Sequence, residues 1–99
     1  MKFDESYELL EDMYADRSFP RKQTDQMRNL LRQVIKTLEQ GERSPKNVQA
    51  AFDRMTEGMN RLMADCPDAE EIVAADVLYI LDWFDLSLDV EDALRKRTW

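Results

Sequence analysis

The chain has 99 residues, of which 43% are hydrophobic and 35% are charged, and its net charge is −7. This length fits one domain over residues 1–99, and no apolar run approaches the roughly 20 residues that span a bilayer. The chain has no histidine, one cysteine and no recognisable catalytic motif. Its first residues turn acidic at once, without a signal-peptide pattern. We therefore predict a cytoplasmic, non-enzymatic protein with no cofactor and no membrane association.

The charges are unevenly distributed along the chain. Residues 1–16 carry one basic and six acidic side chains, residues 17–46 carry eight basic and three acidic ones, and residues 64–99 carry three basic and ten acidic ones. Two interpretations stay open at this stage. In the first, the segments neutralise one another when they pack. In the second, the acidic residues form a surface that steers a basic partner towards the protein.

The first half of the chain predicts two amphipathic helices. Residues 4–16 alternate apolar and acidic side chains with the period of a helix, and Pro20 follows the end of this pattern. Residues 24–40 predict a second helix with an apolar stripe. We expect Thr24 to act as its N-cap and Gly41 to end it.

The second half predicts two or three further helices. Ser44, directly before a proline, is expected to cap a helix whose apolar face includes several methionines. Asp68 and Glu71 have the spacing of a capping box at the start of a helix over residues 69–85. Asp89 is expected to cap a short last helix. The predicted fold class is therefore all-α, a small bundle of four to five helices.

Asp76 is the most unusual residue in this pattern, because it lies in the middle of the apolar stripe of helix 69–85. A buried carboxylate is costly unless it is hydrogen-bonded, paired or protonated. We expect Asp76 to accept a hydrogen bond from Tyr7 or Tyr14, or to pair with an arginine. In the alternative, Asp76 and Tyr79 are the buried polar groups of a small ligand-binding or hydrolytic site.

Metal and nucleic-acid sites are not favoured by the sequence. Asp82 and Asp85 lie about one turn apart, but the chain has neither the histidines of a di-metal bundle nor a calcium loop. Arg28, Arg32 and Lys36 recur every four residues and could contact phosphates. The net negative charge argues against that function, so we predict no metal and no nucleic-acid partner.

Several short segments together resemble a known protein family. They are Tyr7-Glu8-Leu9-Leu10-Glu11-Asp12-Met13-Tyr14, Phe19-Pro20, the aromatic helix from Asp76 to Phe84, and Arg97-Thr98-Trp99. The chain resembles a family of small bacterial helical proteins that is catalogued as a domain of unknown function, DUF5713. Residues 21–62 depart most from the family pattern. The resemblance implies a single-domain bacterial cytoplasmic protein, and it brings no activity, ligand or catalytic residue with it.

The function we predict is that of a protein–protein interaction module, similar in kind to an immunity protein, an antitoxin or a nucleic-acid mimic. It would bind a basic partner through exposed acidic residues: Glu5, Glu8, Asp12, Asp16, Asp82 and Asp85. A further alternative is a homodimer that buries Leu78, Leu81 and the methionine-rich face of the third helix.

Overall fold

The computed structural model describes all 99 residues and contains five α-helices and no strand. They are α1 (Glu11–Ala15), α2 (Arg21–Glu39), α3 (Pro45–Met63), α4 (Glu70–Trp83) and α5 (Val90–Ala93). A single 3₁₀ turn, Pro67–Ala69, precedes α4. Helices α1 and α5 are about one turn long, so α2, α3 and α4 carry most of the fold. The predicted all-α class is confirmed.

One hydrophobic core joins the three long helices. The helices α2 and α3 follow each other through a short turn and contribute Leu31, Phe52 and Met59, which are among the most deeply buried side chains. Helix α4 adds Val77 and Ile80 to the same core. Burying such side chains is the main favourable contribution to folding. The methionines of α3 belong to this core, as their helical spacing indicates.

Three of the predicted helix boundaries are confirmed. The Ser44 hydroxyl accepts a hydrogen bond from the backbone N–H of Asn47, and the Asp89 carboxylate accepts one from Asp92. Gly41 follows the end of α2 with φ +89°, a left-handed conformation that suits glycine. These are local signals, which explains why the sequence alone predicts them.

Two predicted caps are wrong. The hydroxyl of Thr24 donates to the carbonyl of Pro20, because α2 already begins at Arg21 and Thr24 lies within its first turns. Asp68 does not cap α4. The 3₁₀ turn runs directly into α4 through Ala69, which has helical dihedrals, and no side chain caps this helix.

The predicted helix over residues 4–16 is wrong for its first part. Residues 4–10 are not helical and include turns at residues 5–6 and 9–10, and the carboxylate of Asp4 accepts a hydrogen bond from the backbone N–H of Ser6. Leu10 has φ 57° and ψ 34°, a left-handed conformation that cannot continue a right-handed helix. Its N–H donates to Asp76 in α4. A tertiary contact therefore replaces the local helix, and α1 begins only at Glu11.

Candidate functional site

Asp76 holds the N-terminal segment, defined here as residues 1–10, against α4. Its Oδ1 atom accepts a hydrogen bond of 2.6 Å from the hydroxyl of Tyr7, and its Oδ2 atom accepts one of 2.7 Å from the backbone N–H of Leu10. The residue is only 5% exposed. The expected tyrosine partner is therefore Tyr7. Tyr14 donates to Asp25 instead, and no arginine pairs with Asp76.

The environment of Asp76 acts on its pKa in two opposing directions. Burial raises the pKa, and the hydrogen bonds from Tyr7 and Leu10 lower it, with burial the larger effect. Burial and the hydrogen bond to Asp76 also raise the pKa of Tyr7. Both carboxylate oxygens are occupied by donors from the protein itself. With a protein donor on each oxygen and only 5% exposure, Asp76 has the arrangement of a structural anchor.

Tyr79 makes a second connection between the N-terminal segment and α4. Its hydroxyl donates to the carboxylate of Asp4 at 2.6 Å, and its ring stacks on that of Tyr7 with 3.9 Å between the centroids. Of the two residues expected to be buried polar groups, Asp76 is buried and Tyr79 is not fully so. Tyr79 is only half-buried, and its hydroxyl points towards Asp4 rather than Asp76. The two residues instead hold different parts of the same segment.

Phe3 and Lys2 complete the attachment of the N-terminal segment. The backbone N–H of Phe3 donates to the carboxylate of Glu39 in α2, and the indole N–H of Trp83 donates to the carbonyl of Lys2. The Phe3 ring lies about 6.0 Å from those of Trp83 and Phe84. Such edge-on and offset aromatic pairs add stability beyond their buried area. Sequence reasoning did not identify Glu39 in this role, because its partner is 36 residues away.

A cleft of about 560 Å³ lies between the N-terminal segment and α2. Arg21, Arg28 and Arg32 of α2 line it, and so do Glu5 and Glu8 of the N-terminal segment. No ion pair within 4.0 Å joins these arginines to these glutamates. The basic and acidic segments of the chain thus face each other here, as one interpretation of the charge pattern predicts. They do not neutralise each other by direct contact.

Tyr14 organises the arginines at one end of the cleft. The guanidinium carbons of Arg21 and Arg28 lie 5.5 and 5.0 Å from the centre of its ring. The Tyr14 hydroxyl donates to Asp25, and burial together with this hydrogen bond raises its pKa. Arg28 is 3.9 Å from Asp25, and its Nε atom is buried without a hydrogen-bond partner. The guanidinium of Arg28 is therefore only partly satisfied by the protein.

The six predicted contact residues are all exposed, and none of them forms an ion pair: Glu5, Glu8, Asp12, Asp16, Asp82 and Asp85. Glu5 and Glu8 line the cleft, whereas Asp12 lies in α1 and Asp16 directly follows it. The backbone N–H of Ser18 donates to Asp16 and lowers its pKa. No group of three or more Cys, Asp or Glu side chains is arranged to hold a metal ion.

Asp82 and Asp85 lie at the end of α4. The hydrogen bond from Trp83 to Lys2 brings this end of α4 beside the start of the N-terminal segment. Asp85 has φ 52°, a conformation that aspartate tolerates better than most residues. The structure thus brings together the N-terminal segment and the end of α4, whereas Asp12 and Asp16 are exposed in and directly after α1.

The model of one protein family matches residues 3–99 of this chain. The chain belongs to DUF5713. This is a family of unknown function, and the match includes residues 21–62, the segment that we expected to depart most from the family pattern. No curated protein and no solved structure is significantly similar to this DUF5713 chain. None of its helices combines the length and the apolar character that a membrane span requires.

Proposed function

We propose that this DUF5713 protein is a non-enzymatic interaction module that binds a basic protein through its exposed acidic residues. The observation that carries the proposal is that all six predicted contact carboxylates are exposed and free of ion pairs. The three ion pairs of the chain use other acids, namely Asp25, Asp53 and Glu91. With a net charge of −7, the protein would attract a basic partner over a distance and orient it during encounter.

The module would act in the manner of an immunity protein, an antitoxin or a nucleic-acid mimic. In such a complex, the acidic residues would face a basic surface of the partner. The N-terminal segment is well suited to this role because several hydrogen bonds hold it before any partner arrives, among them those from Tyr7 to Asp76 and from Tyr79 to Asp4. A surface that is already ordered loses little conformational entropy on binding.

The two alternative functions receive less support. A hydrolytic or ligand-binding site centred on Asp76 needs space for a substrate, but Asp76 does not line the cleft and both its oxygens are occupied. The homodimer surface expected from the sequence is also largely absent. Leu81 is 2% exposed and Met55, Met59 and Met63 are buried, so of the residues expected at this surface only Leu78, at 49% exposure, is accessible.

Charge reversal tests this proposal. The test variant carries four substitutions at exposed acidic residues whose side chains form no hydrogen bond: Glu5→Lys, Glu8→Lys, Asp12→Lys and Asp82→Lys. A matched control makes the same change in net charge at exposed acids of α3, the turn after it and α4: Glu57→Lys, Asp65→Lys, Asp68→Lys and Glu71→Lys. Both variants are compared with the wild type in a tagged pull-down from the lysate of the native host.

We expect the test variant to lose the basic partner and the control to retain most of it. Exposed charges strengthen association mainly when they face the partner. Circular dichroism of both variants checks that the fold is intact. Equal capture by the wild type and the test variant would contradict the proposal. Equal loss from both variants would show that net charge, rather than this surface, determines binding.

A further inference from the structure

The cleft between the N-terminal segment and α2 carries free groups of both signs. Arg21 and Arg32 form no ion pair, and Arg28 has only its 3.9 Å contact with Asp25. On the opposite wall, the carboxylates of Glu5 and Glu8 are also free of ion pairs. Each of these groups retains hydrogen-bonding capacity for a ligand.

The other two carboxylates of the cleft are already occupied. Asp4 accepts hydrogen bonds from Ser6 and Tyr79, which lower its pKa, and Glu39 accepts one from the backbone of Phe3. These two acids therefore stabilise the cleft wall itself. What is left for a ligand is a row of guanidinium groups on one side and a pair of carboxylates on the other.

We propose that this cleft binds a small zwitterion, with its carboxylate at Arg28 and Arg32 and its ammonium group at Glu5 and Glu8. Arg28 and Arg32 are four residues apart in α2, so their side chains leave the helix on the same flank. A guanidinium group can bind a carboxylate through two parallel hydrogen bonds.

The balance of charges favours a neutral zwitterion over an ion of one sign. Three arginines and four carboxylates line the cleft, so a dianion or a polycation would meet groups of its own charge. The volume of about 560 Å³ falls within the usual range of about 300 to 1,000 Å³ for small-molecule sites. An unblocked short peptide, with a charge at each end, has this chemistry and fits this space.

Three peptides separate the contributions of the ammonium group and the carboxylate to binding. The probes are triglycine, N-acetyltriglycine, which lacks the ammonium group, and triglycinamide, which lacks the carboxylate. Their affinity for the purified protein is measured by isothermal titration calorimetry and by NMR chemical-shift changes. We expect triglycine to bind about tenfold or more tightly than either blocked peptide, because each charged end forms charge-assisted hydrogen bonds.

Single substitutions test which wall of the cleft binds which end of the peptide. Arg32→Gln should weaken triglycine about tenfold and leave triglycinamide unchanged, since the amide makes no carboxylate contact. Glu8→Gln should weaken triglycine and leave N-acetyltriglycine unchanged. Arg61→Gln is the control, because Arg61 is an exposed arginine of α3 outside the cleft. It should alter none of the affinities.

The proposal is overturned if triglycine shows no saturable binding, if the three peptides bind equally well, or if Arg32→Gln behaves like Arg61→Gln. Arg32 and Glu8 are both exposed, so these variants are expected to fold. The titrations use only the purified protein and a peptide. Their failure would therefore leave the proposed binding of a basic protein untouched, and failure of the pull-down would leave this inference untouched.

Discussion

Replacement of Asp76 by alanine is the most informative perturbation of the fold. It removes the acceptor of the hydrogen bonds from Tyr7 and from the backbone of Leu10. A buried donor without a partner costs about 1 to 3 kcal/mol. Leu10 is fully buried, so its N–H meets this condition, whereas half-buried Tyr7 can regain some contact with water.

Removing the Asp76 carboxylate also removes an unfavourable contribution to stability. Burial raises the pKa of Asp76 and so disfavours its charged form. The partial loss at Tyr7 and this offset act in opposite directions, so we expect Asp76→Ala to lower the free energy of unfolding by about 1 to 3 kcal/mol. Asp82→Ala is the matched control, because Asp82 is an exposed aspartate of the same helix. Its effect should stay within about 0.5 kcal/mol.

Thermal unfolding followed by circular dichroism measures the difference. In a domain of this size, 1 kcal/mol corresponds to about 4 to 8 °C in Tm, so about 1 to 3 kcal/mol for Asp76→Ala corresponds to a Tm about 4 to 24 °C below that of the wild type. Tyr7→Phe, which removes only one of the two donors, should fall between the two aspartate variants. Equal Tm values for Asp76→Ala and Asp82→Ala would refute the anchoring role.

Two further predictions concern other parts of the fold. Arg95 donates two hydrogen bonds to Asp53 and lowers the pKa of this carboxyl group below its usual range. The contact therefore stabilises the protein at neutral pH and loses its effect as the pH falls through the lowered pKa. Asp53→Asn should therefore cost about 1 kcal/mol at neutral pH and almost nothing in strong acid; urea unfolding at both pH values checks this, and a constant difference would contradict it. Gly41→Ala should lower the free energy of unfolding by about 1 kcal/mol, because φ at this position is +89°. Nothing lies within 4 Å of the added methyl group, so backbone strain is the only expected cause. An unchanged Tm would show that the turn adapts.

The sequence predicts those features of the fold that depend on neighbouring residues. The periodicity of α2 and α3, the caps at Ser44 and Asp89 and the turn at Gly41 are local, and the structure has them. The need of Asp76 for a partner also follows from its place in an apolar stripe. Tyr7 could be considered as that partner because tyrosine combines an apolar ring with a hydroxyl donor.

Features that depend on distant residues could not be predicted in this way. Residues 4–10 have the helical pattern of apolar and acidic side chains, yet Leu10 is bound by Asp76, which is 66 positions away. The cleft was missed for the same reason, since its two walls come from the N-terminal segment and α2. The exposure of Glu5 and Glu8 follows from their charge, but their position opposite Arg28 and Arg32 follows only from the tertiary fold.

The most direct measurement of the proposed function is a pull-down with the tagged wild-type protein from native-host lysate, carried out at low and at high salt and analysed by mass spectrometry. Salt screens attraction between exposed charges. We predict one basic protein in amounts comparable to the tagged protein at low salt, and its loss at high salt. Recovery of the tagged protein alone, or of a partner that high salt does not release, would contradict binding through the acidic surface.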